Sequence, residues 1–365
     1  MMQIVLHAGM HKTATTSVQQ WLRDHQAELR AEDIAAFPLE TKIVAKRQDL
    51  FDPVGLQQQL RTLDRQGVER VVFSHEAISS FSPSCYTRLR AALQPYPVRV
   101  VIAFRHWTSF LPARWKQNSV RRDGQSFGRF LQQMQAAPPR FDMAFGLILQ
   151  HLKGAPGDDT MVLPFERALQ AGGIVAAVLR LCGVPEHLIR HQNAGQAAAY
   201  HLNRSALTQG LNLDLERLRL VNGCYARAQG WEDSAMFTAI GRDGVAPQMF
   251  DLAPMMKPFK EQRPALWAAL TEQLTATAEV TRLQPDDFVP AAARLQQAAA
   301  RYADPVLLPD PSAGLFPALP EQEVHWSRLA AEDLPETLVA EVLEMTGMLT
   351  QTYGWRPSFP RGVSN

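Results

Sequence analysis

Residues 4–18 read Ile-Val-Leu-His-Ala-Gly-Met-His-Lys-Thr-Ala-Thr-Thr-Ser-Val. A short apolar run meets a small-residue turn, then Lys12, then a cluster of hydroxyls, then an amphipathic segment. That order predicts a strand, an anion-binding loop and the start of a helix. Three sources of positive potential coincide there: unpaired backbone N–H groups, the helix dipole and the Lys12 ammonium. Thr13, Thr15, Thr16 and Ser17 add hydroxyl donors. Such a loop suits a multiply charged anion. The plainer alternative is a Ser/Thr-rich helix cap beside a solvated lysine, but a cap needs only one or two such residues.

The Walker loop of nucleotide triphosphatases, G-x-x-x-x-G-K-[ST], fails here on both glycines, since Leu6 and His11 occupy their positions. The run His11-Lys12-Thr13-Ala14-Thr15-Thr16 instead resembles the P-K-T-G-T-T loop of sulfotransferases that use 3′-phosphoadenosine 5′-phosphosulfate (PAPS), with His11 for proline and Ala14 for glycine. Gly9-Met10-His11-Lys12-Thr13 is similar to the bacterial branch of that family. The resemblance implies that His11, Lys12, Thr13, Ala14, Thr15, Thr16 and Ser17 hold the 5′-phosphosulfate.

Further along, Gln3–His7, Arg70–Ser74, Val98–Phe104 and Thr160–Leu163 read as buried-type strands. Helices are expected over 15–30, 56–66, 86–93, 109–121, 126–135, 140–152 and 172–182. In the first of these, Val18, Trp21, Leu22 and Leu29 share one face. Strands alternating with helices predict parallel pairing in a doubly wound α/β sheet. The resemblance makes that sheet P-loop-like and flanked by helices. Past about residue 190 the pattern changes to helices over 196–220, 261–282, 288–302 and 335–353, with Pro- and Gly-rich connections. Residues 1–190 are thus expected to form the α/β core. Residues 191–365 are expected to form a mainly helical extension that caps the ligand edge and shapes the acceptor site.

Ligands of such sheets sit at the carboxyl ends of strands. Ser74-His75-Glu76 and Phe104-Arg105 fall at two such ends. Glu76 is placed to act as general base toward a hydroxyl, and the resemblance gives a glutamate there that part. His75 is a second candidate base, or a neighbour that orients Glu76. His7 and His11 flank the loop and are each candidates to donate to an anion. The resemblance implies that Arg105 binds the 3′-phosphate and that a serine in the next helix assists. Ala113 occupies the expected register, which leaves Ser109 or Thr108 as the substitute. Trp115, Lys116, Gln117 and the arginines around them lie where acceptors are met in glycan sulfotransferases; core packing for Trp115 and solvation for the charges is the alternative. Phe165-Glu166 resembles a structural strand-end motif of the family. Gly183 reads as a helix C-cap.

The formal net charge of +1 gives no support for nucleic-acid binding. Cys85, Cys182 and Cys224 make neither a metal-ligand spacing nor a disulfide framework. No run reaches the length of a membrane span and no signal-peptide core precedes the first strand, so a soluble cytoplasmic protein is expected. The resemblance implies sulfuryl transfer from PAPS to an acceptor hydroxyl on a carbohydrate or glycolipid, with Lys12 neutralising the leaving phosphate and no metal required. Three other classes stay open. One is a P-loop kinase-like enzyme, which would need Mg²⁺. Another is a non-catalytic nucleotide-binding protein on the same fold. The third is a structural or scaffold protein built on the helical half.

Overall fold

The computed structural model describes residues 2–9, 13–38, 52–75, 78–79, 81, 83–118, 125–136, 159–190, 210–230, 236–239, 252–285, 303, 308, 310, 312, 315–353 and 355–358. The chain divides into two compact units, each discontinuous in sequence. The first comprises Met1–Trp107, Pro139–Arg204 and Pro285–Pro320; the second comprises Thr108–Pro138, Ser205–Gln284 and Glu321–Asn365.

The first unit is built on a five-stranded sheet of β1 (Gln3–His7), β2 (Ile34–Pro38), β3 (Arg70–Ser74), β4 (Val98–Phe104) and β5 (Asp159–Pro164), in the order β2-β3-β1-β4-β5. Every adjacent pair is parallel. These runs are apolar nearly throughout because both faces are covered. Successive side chains point to opposite faces and feed two cores. Ile4, Leu6, Val71, Phe73, Val100 and Ile102 pack with α3 (Pro53–Arg65) and α4 (Pro83–Ala92). Val5, Val72, Val101, Ala103 and Leu163 pack with α1 (Thr15–Asp24), α2 (Gln26–Ala31), α7 (Phe165–Gln170), α8 (Ile174–Leu181) and α9 (Glu186–Arg190). Helices on both faces of a parallel sheet make a doubly wound α/β arrangement.

Two local differences from the sequence reading have physical causes. The single helix expected over 15–30 is two helices. His25 lies at the break with φ −113° and ψ 26°. Its ring stacks on Trp21 at 4.3 Å, and both its backbone N–H and its Nδ1 meet the Trp21 carbonyl. The strand β2 was not expected at all. Ala35 and Ala36 are poor strand formers, and the segment is held by pairing to β3 at the sheet's edge, where Pro38 is tolerated.

In the second unit, α5 (Trp107–Asn118), which begins at the last residue of the first unit, and α6 (Phe127–Ala136) are joined by α10 (Leu213–Ala228), α11 (Leu252–Gln262), α12 (Pro264–Ala276) and α13 (Glu336–Tyr353). The helix expected over 261–282 is corrected. It is interrupted at Arg263-Pro264 and stops at Ala276, and β7 (Ala278–Leu283) pairs antiparallel with β8 (Gln322–Ser327). Thr277 makes the switch: its Oγ1 donates to the Gln273 carbonyl at 2.7 Å and bonds Ser327 Oγ at 2.7 Å. A second antiparallel pair joins β6 (Met236–Ala239) to β9 (Trp355–Ser358). The helix expected over 196–220 begins, within the described residues, at Leu213 and runs on to Ala228. The helices expected over 140–152 and 288–302 lie outside the described residues.

A closed polar knot holds part of this unit together. Glu216 and Arg219, one turn apart on α10 and fully buried, pair at 2.7 Å. Glu216 also accepts the Ser327 N–H at 3.1 Å, while Arg219 donates to the carbonyls of Ser327 and Leu329. Among the described residues, no helix is long and apolar enough to cross a membrane.

Candidate functional site

In the order β2-β3-β1-β4-β5, the chain leaves β1 toward one side of the sheet and later returns to build the other side next to β1. The carboxyl end of β1 is therefore the topological switch point, where such sheets hold ligands. The ends of β1 and β3 meet there, and β4 runs on past them. His7 ends β1 in register with Ser74, the last residue of β3, and beside Val101 of β4.

The β1 end is tied to its neighbours by polar contacts. His7 Nδ1 and Ser74 Oγ share a buried hydrogen bond of 2.8 Å. The His75 N–H donates to the His7 carbonyl at 3.0 Å, and the Ala8 N–H to the Val101 carbonyl at 2.9 Å. Gln19, on α1, donates its amide to the Ser74 carbonyl at 2.7 Å. Ser79 donates its hydroxyl to the Gly9 carbonyl at 3.2 Å. Gly9 is required by contact: a Cβ there would stand 1.8 Å from Thr15 Oγ1. Among the described residues, two buried polar atoms at this end have no hydrogen-bond partner, His7 Nε2 and Thr15 Oγ1. Burial pushes the His7 pKa down to about 4, so the ring is neutral at neutral pH.

The entry to α1 differs from an ordinary cap. Its N-cap is Ala14, at φ 64° and ψ 20°, with no side-chain cap hydrogen bond. The left-handed conformation costs a residue with a Cβ about 1–2 kcal/mol. Alanine has no side-chain acceptor to spend on the helix's first N–H groups, as serine or aspartate would. The resemblance has glycine at this position, and the backbone adopts a conformation natural to glycine despite the methyl group. Thr13, Thr15 and Ser17 are buried and Thr16 is exposed.

At the β4 end, Arg105 is half-buried with its guanidinium carbon 4.7 Å from the centre of the Phe165 ring. Burial pushes its pKa down to about 10 and the charge of Glu166 opposes that fall, so Arg105 stays cationic at neutral pH. Glu166 is buried, and its two carboxylate oxygens accept the His106 N–H at 3.1 and 3.3 Å. The His106 ring lies between Trp107 and Phe316, with centroids at 3.9 and 4.9 Å, and burial pushes its pKa down to about 4.

Of the residues singled out from the sequence, Thr13, Ala14, Thr15, Thr16 and Ser17 open α1 at the switch point, and His75 follows β3 half-buried. His11, Lys12 and Glu76 lie outside the described residues. Ser109 is half-buried in the first turn of α5, in the second unit, and Ala113 is buried one turn further on. Trp115 is core. Its ring packs on Phe127 at 5.3 Å and its Nε1–H donates to the Gln125 carbonyl at 2.9 Å. Lys116 is half-buried, and burial lowers its pKa.

The sequence reading missed the His7–Ser74 pair, Gln19, Ser79 and the bond from His106 to Glu166. One signal was present: His7 and Ser74 are polar residues closing otherwise apolar strands. Among the described residues, no group of three or more His, Cys, Asp or Glu is placed to hold a metal ion. Comparison with family models, curated proteins and solved structures finds no match to this chain.

Proposed function

We propose that the chain is a PAPS-dependent sulfotransferase that moves a sulfuryl group to a hydroxyl on a carbohydrate or glycolipid. The observation that carries this reading is the opening of α1 at the switch point. A hydroxyl-rich, lysine-bearing loop leads there into a helix N-terminus whose cap, Ala14, offers no side-chain acceptor. Anions are favoured at such a terminus by its free N–H groups and dipole. The residues present fit the donor. Thr15 Oγ1 is buried without a partner on the loop side, and the cationic Arg105 stands at the next strand end, matching a nucleotide with anionic groups at both its 5′ and 3′ positions.

PAPS supplies the activated sulfuryl group. In this reading Lys12, Thr15, Thr16 and the first N–H groups of α1 neutralise charge that grows on the bridging oxygen of the leaving phosphate. Thr13 and Ser17 complete the loop. Glu76 takes the proton of the acceptor hydroxyl, with His75 as its neighbour. Arg105 binds the 3′-phosphate. Most of the work is positioning and charge stabilisation, as in phosphoryl transfer, and the reading asks for no metal ion.

The test is transfer of labelled sulfate from PAPS to a panel of carbohydrate and glycolipid hydroxyls, with and without EDTA. Label should appear on an acceptor in step with adenosine 3′,5′-bisphosphate. The rate should be insensitive to EDTA and should fall at least about hundredfold, roughly 2.7 kcal/mol, in Lys12→Ala. Turnover of ATP that depends on Mg²⁺, without sulfate transfer, would replace the reading with a kinase-like one.

A further inference from the structure

Two consecutive residues hold the two that follow β4. Register pairs Phe104 with Pro164, so the next residues of both strands continue side by side into Arg105-His106 and Phe165-Glu166. Phe165 places its ring under the Arg105 guanidinium at 4.7 Å. Glu166 takes the His106 backbone N–H with both carboxylate oxygens, at 3.1 and 3.3 Å. One residue thus seats the side chain of Arg105, and the other fixes the peptide immediately after it.

We propose that Glu166 is a positioning residue for Arg105, holding it to receive the 3′-phosphate of the nucleotide. The proposal rests on the reading of the chain as a PAPS-dependent transferase.

The physical case has three parts. A buried carboxylate is costly unless it is hydrogen-bonded and balanced by opposite charge. Glu166 is buried, is bonded by the His106 N–H, and acts electrostatically on the Arg105 guanidinium. Second, a buried carboxylate is weak evidence of a stabilising role by itself, because burial desolvates its charge as well as pairing it. Third, a guanidinium carries five N–H donors in a fork and can serve more than one anionic partner. Glu166 acts on Arg105 through its charge and through the His106 peptide, and a preorganised cation binds phosphate without first ordering a long side chain.

The readout is the 3′-phosphate preference, defined as Kd for adenosine 5′-phosphate divided by Kd for adenosine 3′,5′-bisphosphate, measured by calorimetry on the full chain. Glu166→Ala should lower this preference about tenfold and Glu166→Gln, which keeps an acceptor for the His106 N–H, about threefold, with adenosine 5′-phosphate affinity held within about twofold. In an Arg105→Ala background, Glu166→Gln should leave the preference unchanged, because the effect runs through Arg105. If Glu166→Ala fails to fold, the isosteric Glu166→Gln and its cycle with Arg105→Ala decide the matter. An unchanged preference in Glu166→Gln, or an equal drop with and without Arg105, overturns the proposal. A wild-type chain with no preference at all overturns the parent reading instead, which separates the two failures.

Discussion

Two buried polar clusters, one in each unit, behave in opposite ways. On α10, Glu216 and Arg219 close on each other and on the backbone at Ser327 and Leu329. At the end of β1, His7 and Thr15 are also buried, yet among the described residues His7 Nε2 and Thr15 Oγ1 are left without partners. A closed network contributes rigidity and specifies one packing. A buried polar atom with nothing to bond is a standing cost that fold stability alone does not reward. The knot is a closed structural network, whereas the β1 end combines its orphaned atoms with the opening of α1. Strain at Ala14, on the same loop, adds a second such cost.

The contrast is broken most severely at the knot. Glu216→Ala leaves Arg219 buried without its counter-charge and should cost about 3–5 kcal/mol, read as a drop in the urea midpoint. A loss below about 1 kcal/mol would mean that the pair is not closed in solution.

The carboxyl edge of the sheet should respond to pH instead. His7 and His106 each have a folded pKa near 4, below the ordinary value of 6.5. Below 6.5 the unfolded chain takes up protons that the folded chain refuses. Stability is therefore full above about pH 6.5 and is lost as pH falls toward 4, by about 3 kcal/mol per histidine. Denaturation midpoints followed from pH 7 to 4.5 should show this slope, and His7→Gln should flatten it. A slope unchanged in His7→Gln would mean that His7 is not held neutral.

Smaller effects sharpen the picture of the loop. Gly9→Ala drives a methyl group into Thr15 and should cost about 1–3 kcal/mol in a thermal or urea unfolding experiment. Ala14→Gly should move stability the other way by about 1 kcal/mol, because it relieves the left-handed strain. A destabilised Ala14→Gly would show that the positive φ is not populated.

The centre of the sheet was readable from the sequence because β1, β3 and β4 are short, mostly apolar runs rich in β-branched residues. The edge strand β5 was readable too, but the edge strand β2 and the peripheral strands were not. Ala35 and Ala36 of β2 carry no strand signal of their own, and only pairing to β3 across the sheet makes them one. In β7, Glu279 to Arg282 follows a helix without a Gly or Pro stop, so the pattern reads as one helix; Thr277 and its bond to Ser327 make the break. The same division holds at the site. Arg105 and the hydroxyl cluster were legible as residues at a strand end and a helix start. What holds Arg105 was not, because Phe165 and Glu166 meet it only through the β4–β5 register. Likewise, His7 finds Ser74 only through the pairing of β1 with β3.

The central claim is that the loop opening α1 is built for a nucleotide with a 3′-phosphate and an anionic 5′ group. Thermal unfolding of the full chain with adenosine 3′,5′-bisphosphate, ADP, GDP or ATP-Mg²⁺ at equal concentration tests it directly. A ligand bound only by the folded state stabilises by about 2.7 kcal/mol at a hundred times its Kd. The account predicts a rise in Tm with adenosine 3′,5′-bisphosphate well above that with the other three, and its loss in Lys12→Ala and Arg105→Ala. Equal rises with ADP or GDP, or a larger rise with ATP-Mg²⁺, would contradict it.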